Sequence, residues 1–209
     1  MDIKISIKSM GFYFLIPILI NDVIIPLIIF LIKINGTTDN VEQGVMILTQ
    51  MFTPFLASFW VYMHLVKYID AKGNENFYIN NRNKWREVLK LYLLYIFTNT
   101  IFFIWYASMG KQYFVEWIHI VIVSFFFVTA AYFLSYLFRS ISLALIPTFI
   151  YMLASVTGLN DFLNKISFYE STGMRLSQLF TRYNYFLILA IVFAVLGSLL
   201  NKYYEEYND

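Results

Sequence analysis

Residues 117–138 read WIHIVIVSFFFVTAAYFLSYLF, a run of 22 residues without aspartate, glutamate, lysine or arginine. A helix that crosses the hydrocarbon core of a bilayer needs ~20 mainly apolar residues. Other parts of the chain have the same character and predict further spans. These stretches are Gln43–Val66, Leu91–Gly110, Ser140–Asn160 and Tyr183–Asn201. The sequence therefore predicts an all-α integral membrane protein.

The composition of the whole chain agrees with this prediction. Of 209 residues, 60% are hydrophobic and only 13% are charged, about half the ~25% usual in soluble domains. A soluble fold of this size cannot bury so much apolar surface, which argues against a soluble enzyme and against a disordered chain. The net charge is only +2 and the sequence contains no run of basic residues, so we expect no nucleic-acid partner.

The first apolar region, residues 9–32, contains one acidic residue, Asp22. We expect a sixth span over residues 12–34. The alternative is that residues 3–16 lie along the membrane surface and that the span begins near Pro17. Asp22 has three interpretations: a helix N-cap at the inner membrane surface, a partner for a lysine of another span, or a buried charge that binds a proton or an ion.

The six predicted spans form a single transmembrane domain over residues 1–209. They cover about residues 12–34, 45–67, 88–110, 115–138, 140–159 and 183–202. With the N-terminus inside, ten of the 15 lysines and arginines face the cytoplasm and five face outward, which favours both termini inside. Of the two longer connections, residues 68–86 are cytoplasmic. Residues 160–181 are external, and they predict either two amphipathic half-helices on the outer leaflet or an ordinary amphipathic loop.

The spans contain few groups that could do chemistry. Metalloprotease, serine-hydrolase and phosphate-loop motifs are absent, so we expect no catalytic residue and no bound metal. His64 and His119 each lie within a turn of a span end, where a histidine is usually interfacial. Small polar residues inside spans either pack helices together or line a pathway. The candidates for pathway lining are Thr49, Thr53, Ala57, Asn99 and Ser155.

The connection 68–86 carries an acidic residue, a glycine, a second acidic residue and an apolar-rich stretch that ends in basic residues. These are Asp70, Gly73, Glu75, Phe77, Tyr78, Ile79, Arg82 and Lys84. In this pattern, and in its topology, the chain resembles the permease subunits of type-2 ABC exporters. The resemblance implies that the loop forms a coupling helix, which docks in a groove of a cytoplasmic ABC ATPase subunit.

The resemblance also implies a function. The chain would be a permease subunit of an exporter that moves an amphipathic or hydrophobic substrate, such as a peptide toxin, a bacteriocin-like peptide or a lipid, across the bacterial cytoplasmic membrane. It would bind no cofactor itself, while the partner ATPase would bind ATP and Mg. A second copy or a paralogous permease would complete the pore. The alternatives are a substrate-capture membrane subunit of a vitamin-type importer and a non-transporting membrane assembly factor.

Overall fold

The computed structural model describes residues 3–36, 38–71, 84–108, 110–157, 166–170 and 176–208. Every regular element within these ranges is a helix. Five helices are long and apolar enough to cross a membrane, and a further apolar helix has 17 residues. The chain is thus a multi-pass, all-α membrane protein, as the sequence predicts.

The first span, Ile7–Asn35, is one continuous helical run of several segments. These are α1 (Ile3–Met10), a 3-10 turn (Gly11–Phe14), α2 (Leu15–Ile18), a π turn (Leu19–Ile24) and α3 (Ile25–Asn35). The other helices are α4 (Thr38–Ile69), α5 (Lys84–Ala107), α6 (Gln112–Phe138), α7 (Ile141–Thr157), α8 (Leu176–Arg182) and α9 (Asn184–Asn208). The first span starts at Ile7, ahead of the predicted residue 12, and passes through Pro17 without a break.

Helix α6, which contains the run 117–138, lies at the centre of the bundle. In its most apolar window 72% of the residues are buried, compared with 61% in α4 and 22% in both the first span and α9. Helices α4, α5, α7 and α9 all pack against it. A helix that is apolar on every side belongs in an interior, and the outer helices expose the apolar side chains that a membrane would cover.

Helix α9 approaches α6 closely at Gly197. A Cβ atom at this position would lie 2.5 Å from Cδ1 of Tyr132 and 3.2 Å from Cα of Phe133. On the same contact, the rings of Phe133 and Phe193 stack with their centroids 5.2 Å apart. Because residue 197 is a glycine, the backbone of α9 can lie directly against the Tyr132 side chain of α6.

Helices α4 and α5 run in opposite directions, and the connection between them defines the two ends of the bundle. We call the end where α4 finishes and α5 starts the loop end, and the opposite end the far end. At the loop end, α6 finishes at Phe138, and Arg139 takes a left-handed conformation with φ of 50°. The backbone N–H of Ile141, which opens α7, points at both carboxylate oxygens of Asp70, at 3.4 and 3.3 Å.

Candidate functional site

Three helices are joined by polar side chains near the middle of the bundle. Nδ2 of Asn21 donates to the Tyr95 hydroxyl at 2.5 Å, and that hydroxyl donates to the backbone carbonyl of Thr53 at 2.6 Å. The Thr53 hydroxyl in turn lies 3.2 Å from Oδ1 of Asn21. This closed ring of hydrogen bonds, the Asn21–Thr53–Tyr95 ring, connects the π turn of the first span with α4 and α5.

The five predicted pathway residues are all buried. Thr53 belongs to the ring, and Asn99 donates to the backbone carbonyl of Tyr95, one turn away. The Thr49 hydroxyl bonds back to Val45 in its own helix, and Ala57 packs in the largest apolar cluster. Ser155 lies apart from these four, at the far end. The contacts described for these five side chains are those of helix packing, and their role as pathway lining stays a prediction.

The loop end holds a buried cluster of ionisable side chains that the sequence analysis did not foresee. Nε2 of His64, on α4, lies 2.8 Å from Oε2 of Glu87, on α5, and the Tyr68 hydroxyl donates to the same oxygen at 3.0 Å. The ammonium groups of Lys84 and Lys67 lie 4.8 and 5.0 Å from the centroid of the Tyr68 ring, within range of a cation–π contact. We call these five residues the loop-end cluster.

The loop-end cluster bears on the expectation that His64 and His119 lie where the histidine ring can reach water. His64 is buried, and so is His119 at the far end, so neither ring reaches water at the surface of the bundle. His64 lies near the end of α4 and Glu87 near the start of α5, so two antiparallel helices place them at the same level. A signal was therefore available in their positions, since each lies within about one and a half turns of the helix end that adjoins the loop.

The residues that the resemblance assigns to ATPase coupling are described only at the two ends of the loop. Gly73, Glu75, Phe77, Tyr78 and Arg82 lie outside the described residues. Asp70 contacts the start of α7, where a carboxylate satisfies an otherwise free N–H group and interacts favourably with the helix dipole. Lys84 is fully buried over the Tyr68 ring.

At the far end, residues 166–170 form a short segment that enters the bundle, and residues 167–170 of it have no regular structure. The side chain of Gln50 pairs with the backbone of Glu170 in both directions: Nε2 donates to the carbonyl at 3.2 Å, and Oε1 accepts from the N–H at 2.8 Å. Tyr151 donates to the carbonyl of Ile166 at 2.6 Å. Backbone groups buried in a bundle outside a helix require such partners, because an unpaired buried N–H or C=O group is costly.

Part of the predicted pair of external half-helices falls on this segment. Residues 160–165 and 171–175 lie outside the described residues, 167–170 have no regular structure, and Leu176–Arg182 is helical. Helical spacing suggested a helix as far as Tyr169. Instead, its N–H bonds to the Ser167 hydroxyl at 2.9 Å, and the Phe168 ring is buried against Phe127. Side chains thus supply the bonds that a helix would have made.

Charged side chains surround the far-end segment. Arg182 forms an ion pair with Glu170. Nδ1 of His119 lies 3.5 Å from Oε1 of the buried Glu116, and the His119 ring packs on Tyr183 at 4.4 Å between centroids. Burial, together with the charges of Glu170 and Glu116, raises the pKa of Tyr169.

Two apolar grooves open on the surface. One, of about 450 Å³, lies between α5, α6 and α9, and its lining is almost entirely apolar. The lining residues are Trp85, Phe125, Ile191, Ala194, Val195, Ser198 and Leu199. The other, of about 120 Å³, lies between α5 and α6 and includes Phe103 and Trp117. We call the larger one the α9 groove.

Asp22 lies in the π turn, next to Asn21 of the ring. Its Oδ1 atom is buried and has no hydrogen-bond partner. Among the described residues no group of three or more histidine, cysteine, aspartate or glutamate side chains could hold a metal ion. No family model, curated protein or solved structure matches the chain.

Proposed function

We propose that this chain is the permease subunit of an ATP-driven exporter, with ATP hydrolysed by a separate cytoplasmic subunit. The exporter moves an amphipathic or hydrophobic substrate across a bacterial cytoplasmic membrane. The acidic, glycine-containing and aromatic pattern of residues 68–86 supports a docking loop. The ten-to-five distribution of lysine and arginine supports its cytoplasmic side, with both termini inside.

The observation that carries the proposal is how both ends of this loop are attached to the bundle. At its start, Asp70 contacts the first N–H group of α7. At its end, Lys84 and Glu87 contact Tyr68 and His64 of α4. A rigid displacement of the loop would therefore move α4, α5 and α7 together. Polar contacts with defined geometry transmit such a displacement better than exposed side chains would.

The interior and the α9 groove support an apolar substrate. The Asn21–Thr53–Tyr95 ring is uncharged, and the groove offers the Ser198 hydroxyl as its one polar side chain. Its volume lies within the ~300–1,000 Å³ of small-ligand sites. A second copy of the chain, or a paralogous permease, would enclose the rest of the pathway.

Co-purification tests the proposal. The tagged chain is purified from membranes of the cells that naturally produce it, and any ABC ATPase that co-purifies from detergent extracts is identified and quantified. Removing residues 76–81 should abolish recovery while the permease itself remains in the membrane fraction. The matched control removes the six residues 204–209 and should retain the ATPase. If the chain without 76–81 recovers as much ATPase as the intact one, the loop is not the docking element.

A second measurement addresses the substrate. The reconstituted complex should hydrolyse ATP faster when an amphipathic peptide is added and should not respond to a sugar. An equal response to the peptide and the sugar, or no response to either, would contradict the proposed substrate class. A peptide response that disappears in Ala194→Trp, which fills the α9 groove, would place the substrate there.

A further inference from the structure

Asp22 lies at the centre of the first span. It is 15 residues after Ile7 and 13 residues before Asn35, so both ends are about 20 Å away along the helix. Its side chain is half-buried, and Oδ1 is buried with no hydrogen-bond partner. This position is far from the water that ordinarily solvates a carboxylate.

Two of the three interpretations of Asp22 do not fit its surroundings. It does not cap a helix N-terminus, because the residues on both sides of it continue the helical run. It forms no ion pair with a described lysine or arginine: Lys67 donates to Ser9, Lys84 lies over an aromatic ring, and Lys33 is about 16 Å further along the same helix. No charged group within the described residues stabilises its anionic form.

The backbone around Asp22 adds oxygen atoms to the same place. Pro26 has no N–H group, so the Asp22 carbonyl lacks the donor that an α-helix would supply four residues later. The π turn over Leu19–Ile24 widens the helix at this point, and such turns often occur at functional sites. Oδ1 of Asn21, the neighbouring residue, already accepts from Thr53.

The polar side chains next to Asp22 belong to the uncharged Asn21–Thr53–Tyr95 ring. The Tyr95 hydroxyl of α5 bonds to Asn21, the residue beside Asp22, at 2.5 Å. The α4 side contributes Thr53 through the same ring. Oδ1 of Asp22 thus lies beside uncharged polar groups whose hydrogen bonds go to one another, and it is itself without a partner.

An unpaired ionised carboxylate within a membrane span is costly, and the cost is removed when a cation binds to it. We propose that Asp22 is a binding site for a small cation, either a proton or a sodium ion, at the middle of the bundle. The Asp22 backbone carbonyl, which faces no N–H group at Pro26, is a further oxygen that could contact the cation. The inference does not depend on an ATPase partner or on the proposed export function.

Dicyclohexylcarbodiimide tests the site on the intact chain in liposomes. The reagent adds a protonated carboxyl group across one of its C=N bonds, and in an apolar environment the adduct rearranges to a stable N-acylurea. Mass spectrometry should find this adduct on Asp22 and not on the exposed Asp70. It should be absent from Asp22→Asn, whose thermal stability in detergent should equal or exceed that of the unchanged chain because no charge needs compensation.

The arms of the experiment separate the two cations. Labelling that falls as pH rises and is unaffected by sodium identifies a proton site. Labelling that sodium suppresses, with potassium as the ionic-strength control, identifies a sodium site. If Asp22 remains unlabelled at low pH, or is labelled equally at every pH and sodium concentration, the proposal is overturned. A large loss of stability in Asp22→Asn would also overturn it, because such a loss would mean that the fold needs the negative charge of Asp22.

Discussion

Removing the carboxylate of Glu87 should weaken the bundle more than any change on an exposed part of α5. Glu87 accepts hydrogen bonds from His64 at 2.8 Å and from Tyr68 at 3.0 Å, both from α4. Interhelical hydrogen bonds in membrane proteins contribute ~0.6 kcal/mol on average and up to ~1.7 kcal/mol. Losing two therefore costs about 1–3 kcal/mol. Leaving the buried His64 ring without its partner adds about 1–3 kcal/mol.

We therefore expect Glu87→Leu to lower the free energy of unfolding by about 2–6 kcal/mol. Glu87→Gln retains an acceptor oxygen and should lose less. The control is Lys90→Leu, an exposed position one turn further along α5, which should change stability by no more than ~0.5 kcal/mol. Unfolding by sodium dodecyl sulfate in mixed micelles, followed by tryptophan fluorescence, measures all three.

A double-mutant cycle decides whether the two side chains act together. If His64 and Glu87 are one unit, the double variant His64→Leu/Glu87→Leu should be more stable than the sum of the single losses predicts, by ~1 kcal/mol or more. The same variants should reduce the coupling of ATPase activity to substrate. A role of the loop-end cluster in holding α4 and α5 together would be refuted by either of two results. One is that the losses of the two single variants add up to the loss of the double variant; the other is a loss below ~0.5 kcal/mol for Glu87→Leu.

Two further predictions concern α9 and the far-end segment. Gly197→Ala places a carbon 2.5 Å from Tyr132. We expect an overpacking cost of about 1–3 kcal/mol, against a gain of ~1 kcal/mol in helix propensity. The control is Gly44→Ala, whose new carbon meets only the tip of a flexible side chain, and it should be neutral or stabilising in the same unfolding assay. Because the pKa of Tyr169 is raised above 10, its neutral form stabilises the fold below pH 10, and this stability is lost as pH rises through the raised value. Tyr169→Phe should show a smaller alkaline loss of thermal stability than the unchanged chain, and an identical loss would contradict the raised pKa of Tyr169.

The sequence was sufficient to predict the helices, because a membrane span needs only a long apolar run. The run at 117–138 was correctly predicted as a span, and its central place in the bundle is a finding of the structure. The partners of the polar residues were harder to predict. Asn21, Thr53 and Tyr95 are 32 or more residues apart in sequence, and only the relative rotation of three helices brings them together.

Residues 166–170 show a different reason for the limit of sequence analysis. Their spacing is compatible with a helix, and the alternative structure is favoured by Gln50, which is 120 positions away from Glu170. The burial of Lys84 could not be predicted from its neighbours either, because charged residues next to a polar loop are usually solvated. In both cases a long-range contact overrides the local pattern.

The Asn21–Thr53–Tyr95 ring also has a consequence for biosynthesis. All three of its residues precede Ala107, the last residue of α5. The ring is therefore complete as soon as the third long helix has left the ribosome and entered the bilayer. The nascent chain can pair these three buried amide and hydroxyl groups before the central helix α6 is synthesised, so they do not face lipid unpaired while α6 is being made.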